Sequence, residues 1–551
     1  MVVLLLISCV LIAFISHPAF NLGRGYYCAR KIGFPVVISP IAQSSRIMNL
    51  FGDRITPLLK YLPFHLGRFI GFGHFFHDRY SIHEWLGPVY TIVNLGGLTI
   101  VVADPDVADD ILARRKDFVK RKSMFKPLEV FGPNVDTLNG EAWQRHRRLT
   151  TPPFNERNSS LVWRESIVQA NGMIRSWISK GPQGVVKTTG DTMTLALHVL
   201  AAAGFGKSYP FEGGVAKLSG NHKLSYKDAL RIIISNIFVS YLVKSKKAPS
   251  YLPKSTVEEV DTALTEFRQY MEEMVDEEKA KIGISTSNDN LMSVLIHASD
   301  SENRGDQRGG LTKDEMLGNL FIYNVAGHDT TANTIGYAVY LMASDPRWQA
   351  WIHEELNFVF RGQGSVGEDD YENAFPKLKR CLAVMYETLR LYGPVVIIPK
   401  TTGSTPRTVE VDGKTHAIPA KATILVNVTA LNTCPEYWGP DALAWRPDRW
   451  IVTKEKSAGI AEEEIMQPPK GRFVPWASGP RVCPGKKFAQ VEFVAVMARL
   501  FRNHRVKVVL MEGECEHEVK KRVIDTVEDS KLGMTLRMNH PERVTLAWEA
   551  E

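Results

Sequence analysis

The sequence predicts a mainly α-helical fold with a minor β component. Residues 312–343 carry a helix-start signal and contain no proline, and residues 378–391 have helical periodicity. Strand patterns appear only late, at 408–411 and 423–428. The chain has 551 residues, of which 44% are hydrophobic and 23% charged, so it can bury a large core and has the composition of a folded protein.

The long central helix is predicted to begin at Thr312. Thr312-Lys313-Asp314-Glu315 is a capping box, in which the threonine hydroxyl and the glutamate carboxylate each accept a hydrogen bond from the other residue's backbone amide. No proline follows before Asp345-Pro346, which supplies an N-cap and a first-turn proline for the next helix. The central helix is therefore expected to run through Ala343.

The end of the second helix and the strands have their own signals. Gly393-Pro394 is expected to end the helix at 378–391. Thr408–Val411 followed by Asp412-Gly413 predicts a β-hairpin, and the apolar, β-rich residues 423–428 predict a strand. No internal repeat or Gly/Ser linker is visible, so residues 80–551 are interpreted as one large domain.

The N-terminus predicts a single-pass membrane anchor in residues 1–20. Val2–Ile15 is almost entirely apolar, although it is shorter than the about 20 residues of a comfortable span. A cleaved signal peptide is the alternative, but the start is uncharged and Ser16-His17-Pro18 is a poor cleavage site. Basic residues follow at once and place the body on the cytosolic side: Arg24, Arg30 and Lys31.

Residues 21–79 are interpreted as a membrane-proximal linker with amphipathic segments. Within it, residues 46–76 mix apolar with basic residues, a pattern that fits either the membrane surface or a packed linker. The net charge of +7 is modest and scattered, which gives no indication of nucleic-acid binding. The cysteines are far apart, as in a protein of a reducing compartment without a zinc site.

A loop around Cys483 carries the strongest chemical signal. Residues 476–485 read Trp-Ala-Ser-Gly-Pro-Arg-Val-Cys-Pro-Gly, and the periodic run Phe488–Phe501 predicts a helix directly afterwards. Backbone amides and the helix dipole are expected to favour a thiolate here, the form that binds a soft metal. Taken alone, a buried structural cysteine in a Gly/Pro loop is the alternative.

These residues closely resemble the haem-binding signature of the cytochrome P450 family, with Trp476 where the family usually has Phe. The resemblance implies a cytochrome P450 fold in which heme b lies between the long oxygen-activation helix and the cysteine-loop helix. It also implies that the Cys483 thiolate holds the iron and that Arg481 supplies a cation for a haem propionate.

Residues 326–331, Ala-Gly-His-Asp-Thr-Thr, look like the family's oxygen-activation segment. The resemblance implies that Ala326 and Gly327 leave room for dioxygen beside the helix, and that Asp329 and Thr330 deliver protons. Taken alone, the segment also fits a core helix that carries two threonines and a lone aspartate.

Two further pairs match family motifs. Glu387 and Arg390 share a helix face, and residues 445–450 are similar to the family's Pro-Glu-Arg-Phe segment, which implies that Arg449 joins them in a network holding the cysteine loop. Considered alone, such a pair is usually a weak surface contact. Trp143 and Arg147 resemble the pair that donates to a propionate.

The basic run at 145–148 leaves open a solvated helix face, but we expect Arg147 to point inward and Arg148 outward. Lys400 stands where the family often has Arg or His against the other propionate. A lysine cannot make their planar two-point contact.

The resemblance, strongest to filamentous-fungal members, implies a monooxygenase of the endoplasmic reticulum membrane. An NADPH-cytochrome P450 reductase would supply electrons, with cytochrome b5 as a second candidate donor. The substrate would be a lipophilic small molecule, such as a terpenoid, polyketide, sterol or fatty acid of secondary metabolism. A haem-thiolate isomerase, dehydratase or peroxygenase and a non-catalytic haem sensor are the alternatives. The intact Asp329-Thr330 pair favours the monooxygenase.

Overall fold

The structure, a computed structural model, confirms a mainly helical fold with minor β-sheet. It describes residues 2–39, 41–42, 45, 48, 51–52, 55, 58, 61, 68–71, 73–215, 217–218, 220–282, 290–303, 309–453 and 459–551. The chain forms two compact units. The first comprises Met1–Met124, Val395–Leu443 and Pro468–Val482, and the second comprises Phe125–Pro394, Ala444–Gln467 and Cys483–Glu551.

The first unit is built on a five-stranded sheet and a separate hairpin. The sheet has the order β1-β2-β3-β7-β4, and the hairpin pairs β5 with β6. The strands are β1 (Val36–Ile38), β2 (Val89–Asn94), β3 (Gly97–Val102), β4 (Ile397–Thr401), β5 (Arg407–Val411), β6 (Lys414–Ile418) and β7 (Thr423–Asn427).

Two strand predictions are confirmed here, but the expectation that strands appear only late in the chain is wrong, because β1, β2 and β3 all precede residue 103. Strand β7 lies between β3, its parallel neighbour, and β4, its antiparallel neighbour, and every residue of it is buried. This position explains its unbroken apolar run. The predicted turn between β5 and β6 has Asp412 and Gly413 at φ values of 50° and 70°, the left-handed conformation of a tight hairpin turn.

The helices of the first unit, with α5 reaching its boundary, are α1 (Val2–Ile32), α2 (His74–Asp78), α3 (Ser81–Leu86), α4 (Pro105–Ala113), α5 (Lys122–Phe125), α17 (Val428–Thr433) and α18 (Pro435–Trp438). Helix α1 includes residues 2–20, yet in the described part of the chain no helix is both long and apolar enough to span a bilayer. The anchor therefore stays a prediction.

The predicted linker, residues 21–79, contains strand β1, which joins the sheet. Most of its residues 46–67 lie outside the described part of the chain.

The second unit holds most of the helices and short strand pairs. Its helices are α6 (Gly140–Thr150), α7 (Glu156–Ile178), α8 (Thr188–Phe205), α9 (Tyr226–Ser235), α10 (Ile237–Lys244), α11 (Lys254–Ile282), α12 (Leu291–Asn303), α13 (Lys313–Ser344), α14 (Pro346–Val359), α15 (Tyr371–Ala374), α16 (Lys379–Tyr392), α19 (Lys486–Phe501) and α20 (Glu516–Glu528). Its strands are β8 (Ile451–Val452), β9 (Glu464–Ile465), β10 (His504–Val508), β11 (Ser530–Leu532), β12 (Leu536–Met538) and β13 (Leu546–Ala550).

Helix α13 runs through the core of the second unit. Its predicted capping box is present: the Thr312 amide donates to the Glu315 carboxylate at 3.0 Å, and the Glu315 amide donates to the Thr312 hydroxyl at 3.2 Å. The helix packs against α8, α16, α19 and α20, and most of its residues from Met316 to Ala343 are buried. Asp345 then caps α14, as predicted.

Candidate haem-thiolate active site

Cys483 lies in the turn directly before α19, the position predicted from the sequence. The Gly485 amide donates a hydrogen bond to its sulfur, and a Cβ added at Gly485 would come within 3.9 Å of Sγ. The side chain is exposed, although densely packed protein surrounds it. This combination is typical of a sulfur that faces a recess rather than bulk solvent.

The expectation that a backbone amide of the loop favours a thiolate is confirmed for Gly485, but this amide does not outweigh burial. Burial raises the pKa of Cys483 above that of an ordinary thiol, and neither the Gly485 amide nor the charge of Arg147, which both lower the pKa, offsets it. The sequence shows the helix start but not the density of protein around the sulfur. A thiolate at this position needs a further positive charge, such as a metal cation.

Helix α6 places Trp143 and Arg147 in the same unit as Cys483. Trp143 is buried, Arg147 is partly buried and Arg148 is exposed, in the orientation expected from the sequence. The charge of Arg147 acts on the Cys483 sulfur. The alternative of a solvated basic face is excluded for His146, which is fully buried and hydrogen-bonded to Asn319 at 3.0 Å.

Helix α13 has a single break in its burial, and it falls on the predicted oxygen-activation segment. Between Met316 and Ala343, a stretch that the structure describes in full, all residues are buried except Ala326, Gly327, Asp329 and Thr330. Ala326 is the most open of these and is exposed. A helix that is otherwise inside the core therefore presents one turn to open space.

The two small residues of this turn have different neighbours. A Cβ added at Gly327 would meet Leu200 of α8 at 2.9 Å, so Gly327 allows close helix packing. Ala326 instead faces the open space, and its carbonyl accepts a hydrogen bond from Thr330 Oγ1 at 2.9 Å. The expectation that both residues make room beside the helix thus applies directly to Ala326 alone.

Asp329 has two polar partners that were not predicted, Thr535 and Asn333. Its Oδ2 accepts a hydrogen bond from the Thr535 hydroxyl, and the Asn333 side-chain amide donates to the Asp329 carbonyl at 2.8 Å. Asn333 is detectable in the sequence as the residue one turn along the helix. Thr535 lies on the β11–β12 hairpin, and no local pattern connects it to the helix.

Glu387, Arg390 and Arg449 come together as expected. Arg390 donates to both Glu387 carboxylate oxygens at 2.8 Å, and Arg449 Nε donates to Oε1 at 2.9 Å. Glu387 and Arg390 have no exposed side-chain surface, so the alternative of a weak surface pair is excluded. A buried ion pair of this kind is stable only when its remaining donors and acceptors are satisfied.

Two further donors complete this group. The Arg446 backbone amide donates to Glu387 Oε1 at 2.8 Å, and the Trp450 indole donates to Oε2 at 2.9 Å. A phenylalanine, the residue usual at this position of the motif, has no such donor. The departure at Trp450 therefore adds a hydrogen bond to the carboxylate.

Three other residues of the predicted site belong to the first unit. Lys400 is buried on β4 and pairs in register with Ile424, and Trp476 packs edge-to-face on Phe473 at 6.2 Å. Arg481 is partly exposed at the end of a short 3₁₀ helix, Gly479–Arg481. Their roles beside a haem stay predictions.

Comparison with known proteins identifies the family. The cytochrome P450 family model matches residues 58–527, so the chain belongs to the cytochrome P450 family. A cytochrome P450 monooxygenase of Arthrobotrys oligospora is 29% identical, over 97% of this chain and 96% of the relative. One from Penicillium roqueforti is 30% identical, over 93% of this chain and 92% of the relative.

Two other relatives extend this result. The phomenoic acid biosynthesis cluster cytochrome P450 monooxygenase of Leptosphaeria maculans is 29% identical, over 96% of this chain and 95% of the relative. A cytochrome P450 crystal structure has a TM-score of 0.65 at 17% identity, covering 86% of this chain and 96% of that one, and supports the fold. The chain is thus a cytochrome P450 enzyme whose relatives are named monooxygenases.

Family membership implies a haem with a cysteine thiolate ligand, and the residues present fit that group. In the described part of the chain, no cluster of three or more His, Cys, Asp or Glu side chains could hold a metal ion. Cys483 stands without such companions, with the guanidinium of Arg147 acting on it. One protein sulfur suits a metal whose other ligands come from a macrocycle.

Proposed function

We propose that this protein is a monooxygenase that uses dioxygen and electrons from an NADPH-cytochrome P450 reductase to hydroxylate a lipophilic small molecule. The observation that carries the proposal is the turn at which the otherwise buried helix α13 opens. Between residues 316 and 343, the polar side chains that are not buried are those of Asp329 and Thr330, and both lie at this turn beside Ala326. The Leptosphaeria relative, named for a biosynthesis cluster, supports a role in fungal secondary metabolism.

Each group of residues has a distinct task in this reaction. Bound haem supplies the chemistry of oxygen activation. One oxygen atom enters a C–H bond of the substrate and the other leaves as water, which consumes two electrons from NADPH and two protons. Asp329 takes protons from solvent and passes them toward the open turn, where Thr330 holds its hydroxyl on the Ala326 carbonyl. Arg147 and Trp143 would donate to one haem propionate, Lys400 would face the other, and Arg481 would supply a further cation for a propionate.

The same proposal includes the protein's place in the cell. We assign residues 1–20 to an anchor in the endoplasmic reticulum membrane, on the basis of the apolar run Val2–Ile15 and the basic residues that follow it. The catalytic body then faces the cytosol, where a membrane-bound reductase, with cytochrome b5 as a second donor, delivers electrons.

Thiolate ligation is tested by the spectrum of the reduced, carbon monoxide-bound protein. Wild type in its membrane fraction is expected to give the long-wavelength Soret band of a thiolate-ligated haem, and Cys483→Ala is expected to lose it. Circular dichroism serves as the control that both proteins are folded. A folded wild type that binds no haem, or that gives the short-wavelength band, would show the proposal to be wrong.

The proton-delivery role is tested by Thr330→Ala, with Thr334→Ala as a matched control. Both threonines donate to the carbonyl one turn back at 2.9 Å, but Thr330 lies at the open turn and Thr334 is buried. With reductase, NADPH and lauric acid as the lipophilic probe, product per NADPH is expected to fall roughly tenfold or more in Thr330→Ala only. Product formed equally well with peroxide alone in wild type would favour a peroxygenase.

A further inference from the structure

The β11–β12 hairpin reaches the open turn of α13 through one hydroxyl. Thr535 lies in the turn of this hairpin, is 8% exposed and donates to Asp329 Oδ2. Among the described residues, the Asp329 carboxylate accepts from the Thr535 hydroxyl and forms no ion pair with an arginine or lysine. A neutral hydroxyl is therefore the group that orients this acid.

The direction of this hydrogen bond follows from its neighbours. The Asn333 side chain faces the Asp329 carbonyl at 2.8 Å, so the facing atom must be its amide nitrogen. The same nitrogen lies 3.3 Å from Thr535 Oγ1 and donates to it. Since a hydroxyl has one proton and its oxygen already accepts from Asn333, that proton points to the Asp329 carboxylate.

The hairpin is fixed firmly enough to hold this orientation. Ser530 donates to the Val527 carbonyl at 2.6 Å, which leaves its oxygen to accept from the Tyr337 hydroxyl of α13, also at 2.6 Å. At the other strand, the Leu536 amide donates to the Pro394 carbonyl at 3.0 Å. Thr535 thus stands on a support that is tied to the same helix as its partner.

We propose that Thr535, backed by Asn333, is a positioning residue that holds the Asp329 carboxylate toward the open turn of α13 for proton delivery. This rests on the proposed monooxygenase function. A carboxylate held by a hydroxyl can exchange a proton without breaking an ion pair, whereas one held by an arginine or lysine cannot. Loss of the hydroxyl frees the carboxylate to rotate away from the turn.

The test uses three variants of the full-length protein. Thr535→Val keeps the side-chain shape and removes the hydroxyl, and Thr535→Ser keeps the hydroxyl. Thr526→Val, the matched control, removes another buried threonine hydroxyl, which donates to the Arg522 carbonyl within α20 at 2.8 Å. The first readout is the orientation of the Asp329 carboxylate in crystal structures. We expect it to be turned away in Thr535→Val and unchanged in the other two variants.

The second readout compares two ways of driving lauric acid oxidation. With reductase and NADPH, Thr535→Val is expected to lose roughly tenfold in product per NADPH, with Thr535→Ser and Thr526→Val close to wild type. With hydrogen peroxide, which brings its own protons, all four proteins are expected to agree within about twofold. A damaged pocket would lower both reactions equally.

Two results would overturn the positioning role. One is an Asp329 carboxylate that keeps its orientation in Thr535→Val together with unchanged product per NADPH. The other is an equal loss in the NADPH-driven and peroxide-driven reactions. If wild type consumed no NADPH in the presence of the reductase, with or without lauric acid, the proposed function would be wrong, and the carboxylate orientation in the Val and Ser variants would still decide the positioning.

Discussion

Two glutamates of the second unit are equally buried but differ in their partners. Glu387 on α16 and Glu492 on α19 both have no exposed surface. Glu387 accepts hydrogen bonds from two arginine side chains, an indole and a backbone amide. In contrast, neither carboxylate oxygen of Glu492 has a hydrogen-bond partner among the described residues, and burial raises its pKa far above that of an ordinary glutamate.

The difference teaches that burial does not decide the charge of a carboxyl group. Removing a carboxylate from water costs several kcal/mol unless donors replace the water, so a buried acid without donors keeps its proton. Glu387 balances two guanidinium groups, while Glu492 behaves as a neutral polar side chain. Substitution by glutamine, which resembles the protonated acid in shape, separates the two cases.

Glu387→Gln is expected to have the largest effect. It keeps the volume but removes the charge that compensates Arg390, which has no exposed side-chain surface. Leaving a buried cation unpaired costs about 3–5 kcal/mol, and we expect the free energy of unfolding to fall by that amount. Urea unfolding followed by circular dichroism measures it. A loss below about 1 kcal/mol would contradict a charged network.

Glu355 lies between these two cases and is expected to make stability depend on pH. Its carboxyl accepts from the backbone amides of Arg380 at 2.6 Å and Cys381 at 3.0 Å, at the start of α16. Burial raises its pKa to about 7 from 4.5, and the two amides lower it without compensating fully. The folded state thus holds a proton that the unfolded state releases near pH 4.5.

This raised pKa makes the protein less stable as the pH rises. Stability from this proton is complete below pH 4.5 and is lost as the pH rises to about 7, by an amount on the order of 3 kcal/mol. Between pH 4.5 and about 7, the free energy of unfolding of wild type should fall by that amount relative to Glu355→Gln, because glutamine has no proton to lose in this range. Parallel pH profiles of the two proteins would show that Glu355 ionises normally.

Glu492→Gln is expected to have the smallest effect and serves as the matched control for Glu387→Gln. Because its raised pKa keeps Glu492 protonated and its carboxyl has no hydrogen-bond partner among the described residues, the amide should change the free energy of unfolding by less than about 1 kcal/mol. The same urea unfolding measurement applies. A loss as large as that of Glu387→Gln would mean that Glu492 is ionised in the folded protein.

Local patterns predicted much of the fold because they depend on neighbouring residues. The capping box at Thr312, the Asp412-Gly413 turn and the helix at 379–392 are each encoded within a few residues. The pairing of Glu387 with Arg390 was also visible, since both lie on one helix face. Such features need no knowledge of the tertiary structure.

Other parts of the site could not be predicted because they depend on contacts between distant segments. Thr535 reaches Asp329 from a hairpin 206 residues further along the chain, and no periodicity records that contact. The raised pKa of Cys483 arises from the protein packed around it, which the loop sequence does not reveal. The donor role of the Trp450 indole requires the same tertiary information.

The open turn of α13 also bears on how this enzyme can change over time. Larger or smaller side chains at Val325 or Thr331 would disturb a close-packed core, so such changes need compensating changes in neighbours. Ala326 is free of that constraint, whereas Gly327 is held by Leu200. A larger side chain at Ala326 would therefore cost little stability but would fill the space that this residue leaves open beside the helix, so the constraint on Ala326 comes from that space and not from packing.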